Sequence, residues 1–328
     1  MDNYIIRVVS NKKNDKYSYF YYDKRNNKIT DKKYIDNCLE GLYIPPAYDN
    51  VKINLSKNGK ILAIGYDTKN RPQYIYNEKF KEKQSHKKFN HMYDFGLKFN
   101  KINKIINKDL YSYSDSKEKQ IAIILKLIMD CNFRIGNEKY KKENNSFGVT
   151  TLQKKHVKIK NDSLIIDFNG KKNVRNTCKV TNKKVIKSLK NKRKNINKND
   201  NLFTYRNGKN YIKIKSSDVN DYLKQFGDFT AKNFRTWGAN IDFIDNLFKN
   251  TKKNFPQNQK DIKNTLNISI KEVANKLHNT PAVCKSNYLD PEIINLFNEN
   301  PHKFISTFDN DNKKQIINKY ISFLEKLI

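Results

Sequence analysis

The sequence predicts an α+β chain, with a small β-rich N-terminal domain over residues 1–78 and a larger, mainly helical domain over residues 79–328. The first 78 residues hold short β-branched or aromatic runs separated by Asn, Lys and Asp stretches. From about residue 90 onward, apolar residues recur at helical spacing between recognisable start and stop signals. One segment, SLIIDFNGKKNVRN (163–176), interrupts the helical pattern with two short runs about an Asn-Gly step, the strongest short hairpin signal.

In chain order, YIIRVV (4–9), YSYFYY (17–22) and ILAIGYD (61–67) are expected strands. RPQYIYN (71–77) alternates, which puts Tyr74 and Tyr76 on one face of a strand. NEKFKEKQSHKKFNH (77–91) turns polar and charged and reads as the domain junction. Asp115 with Glu118 three residues later reads as a capping box. Residues 121–131 are then apolar nearly all round, which indicates a buried helix. KNKRKNINKND (190–200) reads as an exposed connection. In TAKNFRTWGANIDFIDNLF (230–248), Phe234, Trp237, Ile241, Ile244 and Phe248 fall at helical spacing behind Thr230 as N-cap. Ser269 and Glu272 read as a second capping box, for a helix that carries Val273 and Leu277 and stops before Pro281. Asp290-Pro291 reads as the N-cap and first position of a further helix.

Hydrophobic residues make up 37% of the 328, enough for a sizeable core beside 30% charged residues. The formal net charge is +33, and such self-repulsion favours a polyanionic partner, nucleic acid above all. Much of the lysine and asparagine also fits an AT-rich genome, so charge alone does not name the partner. Cys38, Cys131, Cys178 and Cys284 are scattered without metal or redox spacing and read as isolated thiols of a reducing compartment. No secretory signal is visible, and IAIILKLIM (121–129), interrupted by Lys126, is too short to span a bilayer. A soluble intracellular protein is expected.

Three cations stand at marked breaks in this pattern. Arg134 in FRIGNEKY follows the buried helix, Lys171 in FNGKK follows the hairpin step, and Arg235 in AKNFRTWG sits on an otherwise apolar helix. Each alone reads as a surface or salt-bridging residue, and Tyr288 is one tyrosine among 20. Together they fit attack by a tyrosine on a phosphodiester. Two guanidinium forks match phosphate and stay charged. A lysine with its pKa lowered by nearby arginines suits protonation of a poor alkoxide leaving group. No carboxylate or histidine cluster suggests a metal, and there is no P-loop. A mechanism with neither metal nor ATP is expected.

RIGNEKYKKENNSFGVTTLQKKHV (134–157), DFNGKKNV (167–174), TAKNFRTWGAN (230–240) and NTPAVCKSNYLDPEI (279–293) resemble, in order and spacing, the signature blocks of the small type IB DNA topoisomerases. These occur in poxviruses, other large DNA viruses and some bacteria. GYDTKNRPQYIYNEKF (65–80) resembles the family's N-terminal DNA-contacting strand, so the resemblance covers nearly the whole chain. It implies a catalytic domain of the tyrosine recombinase/topoisomerase IB type, with a small β-hairpin or sheet carrying the catalytic lysine. It also implies that Tyr288 forms a 3′-phosphotyrosyl link, Arg134 and Arg235 bind the phosphate, and Lys171 protonates the leaving 5′-oxygen. Strand swivelling relaxes supercoils before religation, with no cofactor.

By the same resemblance Arg71, Gln73, Tyr74, Tyr76, Tyr140, Asn144, Thr151 and Lys232 contact DNA. Poxvirus members place a histidine nine residues before the tyrosine. Here that position is Asn279, with His278 one step away, and the following Thr-Pro keeps Asn279 in register as the phosphate ligand. A tyrosine recombinase is the nearest alternative, but its second box usually reads His-x-x-Arg, against Lys232-Asn233-Phe234-Arg235 here. A non-enzymatic basic DNA-binding protein accounts for the charge and not for the ordered blocks. The resemblance leads to a monomer clamping duplex DNA; with the Lys/Asn bias it leads to an insect poxvirus or other large DNA virus as the source and, for a cytoplasmic virus, to the virion and host cytoplasm.

Overall fold

The structure is a computed structural model that describes residues 2–14, 16–160, 163–309 and 312–328. The chain divides into two compact units, Met1–Lys88 and Phe89–Ile328.

The first unit is built on an antiparallel sheet. Its strands are β1 (Tyr4–Lys13), β2 (Lys16–Tyr22), β3 (Lys28–Ile29), β4 (Asp49–Asn54), β5 (Ile61–Tyr66) and β6 (Pro72–Tyr76), in spatial order β3-β2-β1-β4-β5-β6. The strands expected from YIIRVV, YSYFYY, ILAIGYD and RPQYIYN are present. Alternation buries Ile5, Val51, Ile53 and Ala63 on one face. Arg7 is buried among them and donates through Nη2 to the carbonyls of Pro45 (2.9 Å) and Tyr48 (3.0 Å), which satisfies part of its guanidinium, while its Nε has no partner among the described residues. Strand β4 and helix α1 (Lys32–Leu39) lie in stretches too polar to mark from sequence.

Helix α2 (Glu78–Leu110) begins where the charged junction was read. Phe89, Met92, Phe95, Ile102 and Ile106 form its buried stripe. Helix α3 (Lys117–Cys131) is buried nearly all round, as its composition requires. Its N-cap is Ser116, which accepts from the Lys119 amide, rather than Asp115, whose carboxylate instead takes Gln120 and Lys192. Lys126, the interruption of the apolar run, is buried with its Nζ donating to Asn103 Oδ1 at 2.8 Å. Helix α4 (Glu138–Asn144) follows.

Strands β7 (Val157–Lys160), β8 (Ser163–Asn169) and β9 (Arg175–Val180) form an antiparallel sheet in that order. The hairpin expected at Asn169-Gly170 is present, but its turn is wider than two residues. Gly170 N–H closes it onto the Val174 carbonyl at 2.8 Å, and the positive φ angles fall at Lys172 and Asn173. Helix α5 (Lys183–Lys194) takes up part of the stretch read as a connection, because Val185, Ile186 and Leu189 give it an apolar face. Next come strands β10 (Thr204–Asn207) and β11 (Asn210–Lys213), then helix α6 (Ser216–Lys224).

The central helix is α7 (Ala231–Lys253), with Phe234, Trp237, Ile241, Ile244 and Phe248 all buried. Trp237 packs so tightly on α2 that a Cβ at Gly96 would lie 2.6 Å from its ring. Helix α8 (Gln259–Lys276) is capped by Asn258, not Ser269. Ser269 is buried mid-helix and donates to the Thr265 carbonyl, so its pattern with Glu272 was a helix interior. Val273 and Leu277 are buried as expected. Helices α9 (Pro281–Asn287), α10 (Pro291–Glu299), α11 (Pro301–Phe308) and α12 (Lys313–Glu325) complete the unit, and Asp290 caps α10 through the Glu292 amide. No helix among the described residues is long and apolar enough to cross a membrane.

Candidate active site

Tyr288 is the C-cap of α9, between that short helix and α10. Pro281 starts α9 and Pro291 starts α10, so the tyrosine sits on a break between two helices. Its side chain is 8% exposed. Asn240 on α7 holds its backbone from both sides, with Nδ2 donating to the Tyr288 carbonyl (2.9 Å) and Oδ1 accepting from the Asp290 amide (2.8 Å). The Asp290 carboxylate in turn accepts from the buried Tyr320 hydroxyl at 3.1 Å. Nothing in the sequence pattern singled out Asn240, because a lone polar residue in a helical repeat carries no sign of its partners.

Arg235 lies five positions before Asn240 on α7 and is 3% exposed. Its Nη2 donates to the Tyr288 hydroxyl (3.3 Å) and to the Leu277 carbonyl (3.3 Å). Its Nε and Nη1 are buried with no hydrogen-bond partner among the described residues. Burial pushes its pKa down, with the neighbouring charge of Arg134 in the same direction.

Arg134 arrives from the C-terminal end of α3 through the left-handed cap Asn132. Its backbone is fixed by the crossing of two glycines. Gly136 has φ +94°, and a Cβ on Gly148 would sit 2.4 Å from the Gly136 Cα. Val149 N–H donates to the Arg134 carbonyl at 2.9 Å across this crossing. The Arg134 Nη2 then donates to Asn279 Oδ1 at 2.7 Å. Asn279 Nδ2 is buried and unpaired among the described residues.

His278 has turned away. It holds a left-handed conformation (φ +53°) and stacks on Phe133 with ring centroids 5.9 Å apart. Burial lowers its pKa, and so do the charges of Arg235 and Arg134.

Burial by itself pushes the Tyr288 phenol up. The charge and hydrogen bond of Arg235, the charge of Arg134 and the nearby Asn279 amide outweigh that, and the phenol lies below its ordinary value. The Asn279 amide contributes without reaching hydrogen-bond geometry. The site thus has a buried hydroxyl whose ionisation is favoured, ringed by buried donors that no acceptor among the described residues satisfies. Such donors are rare and suit an anion.

The structure therefore brings together Tyr288, Arg235, Arg134 and Asn279. Lys171 stands apart, exposed in a short 3-10 turn between β8 and β9. Among the described residues no hydrogen bond or ion pair joins it to that group. Lys232 is exposed on α7 one turn before Arg235. Tyr140 (59% exposed) and Asn144 are exposed on α4. Thr151 departs from the expectation of a DNA-facing side chain. It is buried, and its hydroxyl accepts from Gly148 N–H (3.0 Å) and donates to the Gly148 carbonyl (3.1 Å), so it braces the glycine crossing.

In the first unit, β6 is an edge strand. Tyr74 and Tyr76 stack at 6.1 Å on one face of it, with Tyr74 49% exposed. Asp67 collects hydrogen bonds from Arg71 (2.6 Å) and Gln73 (3.1 Å), and the Arg71 hydrogen bonds hold its carboxyl down at about 2.

Residues 77–316 match the family described as eukaryotic DNA topoisomerase I, catalytic core, and residues 18–67 match the bacterial DNA topoisomerase IB N-terminal domain. The DNA topoisomerase 1B of Acanthamoeba polyphaga mimivirus is 34% identical over 311 residues, covering 93% of this chain and 91% of its own length. That of vaccinia virus (strain Copenhagen) is 28% identical over 241 residues, 72% of each chain, and the DNA topoisomerase I of monkeypox virus shows the same figures. The chain belongs to the type IB DNA topoisomerases.

Proposed function

We propose that this protein relaxes supercoiled duplex DNA by transient cleavage of one strand. The Tyr288 oxygen attacks a backbone phosphorus and the bond to the 5′-oxygen breaks. A 3′-phosphotyrosyl link and a free 5′-hydroxyl result, and the reverse reaction reseals the strand. Arg235 first lowers the phenol's pKa. Its unpaired Nε and Nη1, Arg134 and the Asn279 amide then stabilise charge growing on the non-bridging oxygens. Lys171 protonates the leaving 5′-oxygen once DNA draws its exposed turn to the site. The phosphotyrosyl bond conserves the energy of the cut, so religation needs neither ATP nor metal. Asn279, rather than His278, takes the phosphate, since His278 is committed to Phe133.

The observation that carries this reading is the Arg235–Tyr288 hydrogen bond, flanked by three buried unpaired donors. Arg71, Gln73, Tyr74 and Tyr76 on the edge strand, Tyr140 and Asn144 on α4, and Lys232 supply DNA contacts. The protein acts as a monomer on one duplex, and its viral relatives support a place in the particle and host cytoplasm of a large DNA virus.

The test is relaxation of a supercoiled plasmid in EDTA without ATP, alongside covalent trapping on a nicked suicide duplex. Wild-type protein is expected to do both and Tyr288→Phe neither. A Tyr288→Phe protein that still relaxes the plasmid overturns the assignment.

A further inference from the structure

Cys131 and Cys178 are joined by a disulfide, S–S 2.02 Å, across 47 residues of sequence. This overturns the expectation of four isolated thiols. A pair so far apart in sequence shows no spacing signal, and only the packing of α3 against β9 brings it together.

The position of the bond is informative. Cys131 is the last residue of α3, three before Arg134. Cys178 lies in β9, the strand that leaves the Lys171 turn. In its sheet β9 is an edge strand, and among the described residues it pairs only with β8. The disulfide fastens it covalently to the end of the helix that delivers Arg134. Both cysteines also line a cavity of about 940 Å³, together with Asn132, Thr177 and His278. Cys131 is buried, while Cys178 is half-buried, so the cavity is the side from which a reductant would reach the bond. The remaining thiols, Cys38 and Cys284, are free. Burial pushes Cys284 up to about 11, which keeps it inert beside the site.

We infer that the Cys131–Cys178 disulfide is a redox-controlled staple that sets the Lys171 turn against the Arg134 arm. It rests on the roles proposed above for those two cations. Closed, the staple limits the excursions of β9 and supports cleavage. A dithiol opens it in two balanced steps. One thiolate attacks Cys178 Sγ, forming a mixed disulfide and releasing Cys131 as a thiolate that takes up a proton. The second thiol then displaces Cys178, and the reductant leaves as its own disulfide. In a reducing compartment such a bond is transient and reports redox state.

The experiment uses the full chain, purified without reductant, oxidised in air and then divided. One half is treated with dithiothreitol. Thiol titration after denaturation should find the two free cysteines in the oxidised half and all four in the reduced half. Single-turnover cleavage of a suicide duplex should be about tenfold slower when reduced, with DNA affinity changed by less than about twofold. The double variant C131S/C178S should cleave at the reduced rate in both conditions. Four thiols in the oxidised half overturn the staple. So do equal cleavage rates in the two halves, or a double variant that still responds to dithiothreitol. If neither half cleaves, the catalytic reading of Tyr288 and its cations fails instead, while the thiol count still decides whether the bond exists.

Discussion

Tyr288 combines two opposing influences, burial that disfavours its phenolate and two arginines that favour it. The arginines prevail, so the acid limb of cleavage should lie below the ordinary tyrosine pKa. Arg235→Ala removes the main lowering influence and leaves burial. The acid limb of the single-turnover pH–rate profile should then move to higher pH, and the plateau rate should fall by roughly 10²–10³-fold. An unmoved limb would show that Arg235 does not set the phenol's ionisation. Asn240 makes a different contribution, since it reaches the backbone about Tyr288, at the Tyr288 carbonyl and the Asp290 amide, and not the phenol. Asn240→Ala leaves the Tyr288 carbonyl and the Asp290 amide without their partner, at a cost of about 1–3 kcal/mol. Calorimetry should show the lower melting temperature and a suicide duplex the slower cleavage.

At the scale of elements, the Arg134 arm depends on the contact between Gly136 and Gly148. Gly148 has extended backbone angles that any residue adopts, so its restriction is the neighbour and not the torsion. Gly148→Ala places a methyl within 2.7 Å of the Arg134 carbonyl and should displace the arm. Cleavage should drop by about 10²-fold, and a variant that cleaves normally would show that the crossing is dispensable. His156, in the short turn before β7, ties this region to pH. Burial is the main reason its pKa is down at about 4, with Lys155 and Lys141 adding to it, and its Nδ1 accepts from Gln153 N–H. The unfolded chain binds this proton near pH 6.5 and the folded chain only near 4. Stability is therefore full above about 6.5 and declines as pH falls toward 4, by on the order of 3 kcal/mol. Thermal melts across that window should show the decline, and His156→Gln should flatten it.

For the whole molecule, the charge of +33 governs the encounter with DNA. Phosphate contacts from many lysines release counterions, so affinity should fall by about 10³-fold or more between roughly 50 and 200 mM salt. A shallow log–log slope in fluorescence titrations would mean that few phosphates are contacted. Because the edge strand β6 and the helical unit lie in separate compact units, Tyr74→Ala should weaken DNA binding and leave the melting of the helical unit unchanged. Binding isotherms and two-probe melts separate these outcomes.

The sequence alone determined what local chemistry can write. The alternating strands, the apolar stripe of α7, the Asp290-Pro291 cap and the ordered boxes around Arg134, Lys171, Arg235 and Tyr288 were all legible, because each is encoded within a few adjacent residues. Local patterns also misled where a local motif had a rival. Ser116 displaced Asp115 as a cap, Ser269 proved to be helix interior, and the Asn-Gly turn opened to a wider loop. Tertiary structure alone decided the contacts between distant residues. It turned His278 onto Phe133 and Asn279 onto Arg134, drew Thr151 inward, clasped Tyr288 with Asn240 and joined Cys131 to Cys178. Thr151 meets Gly148 only three positions away, but packing fixes the other partners across 47 to 145 positions, and periodicity carries no information over such separations.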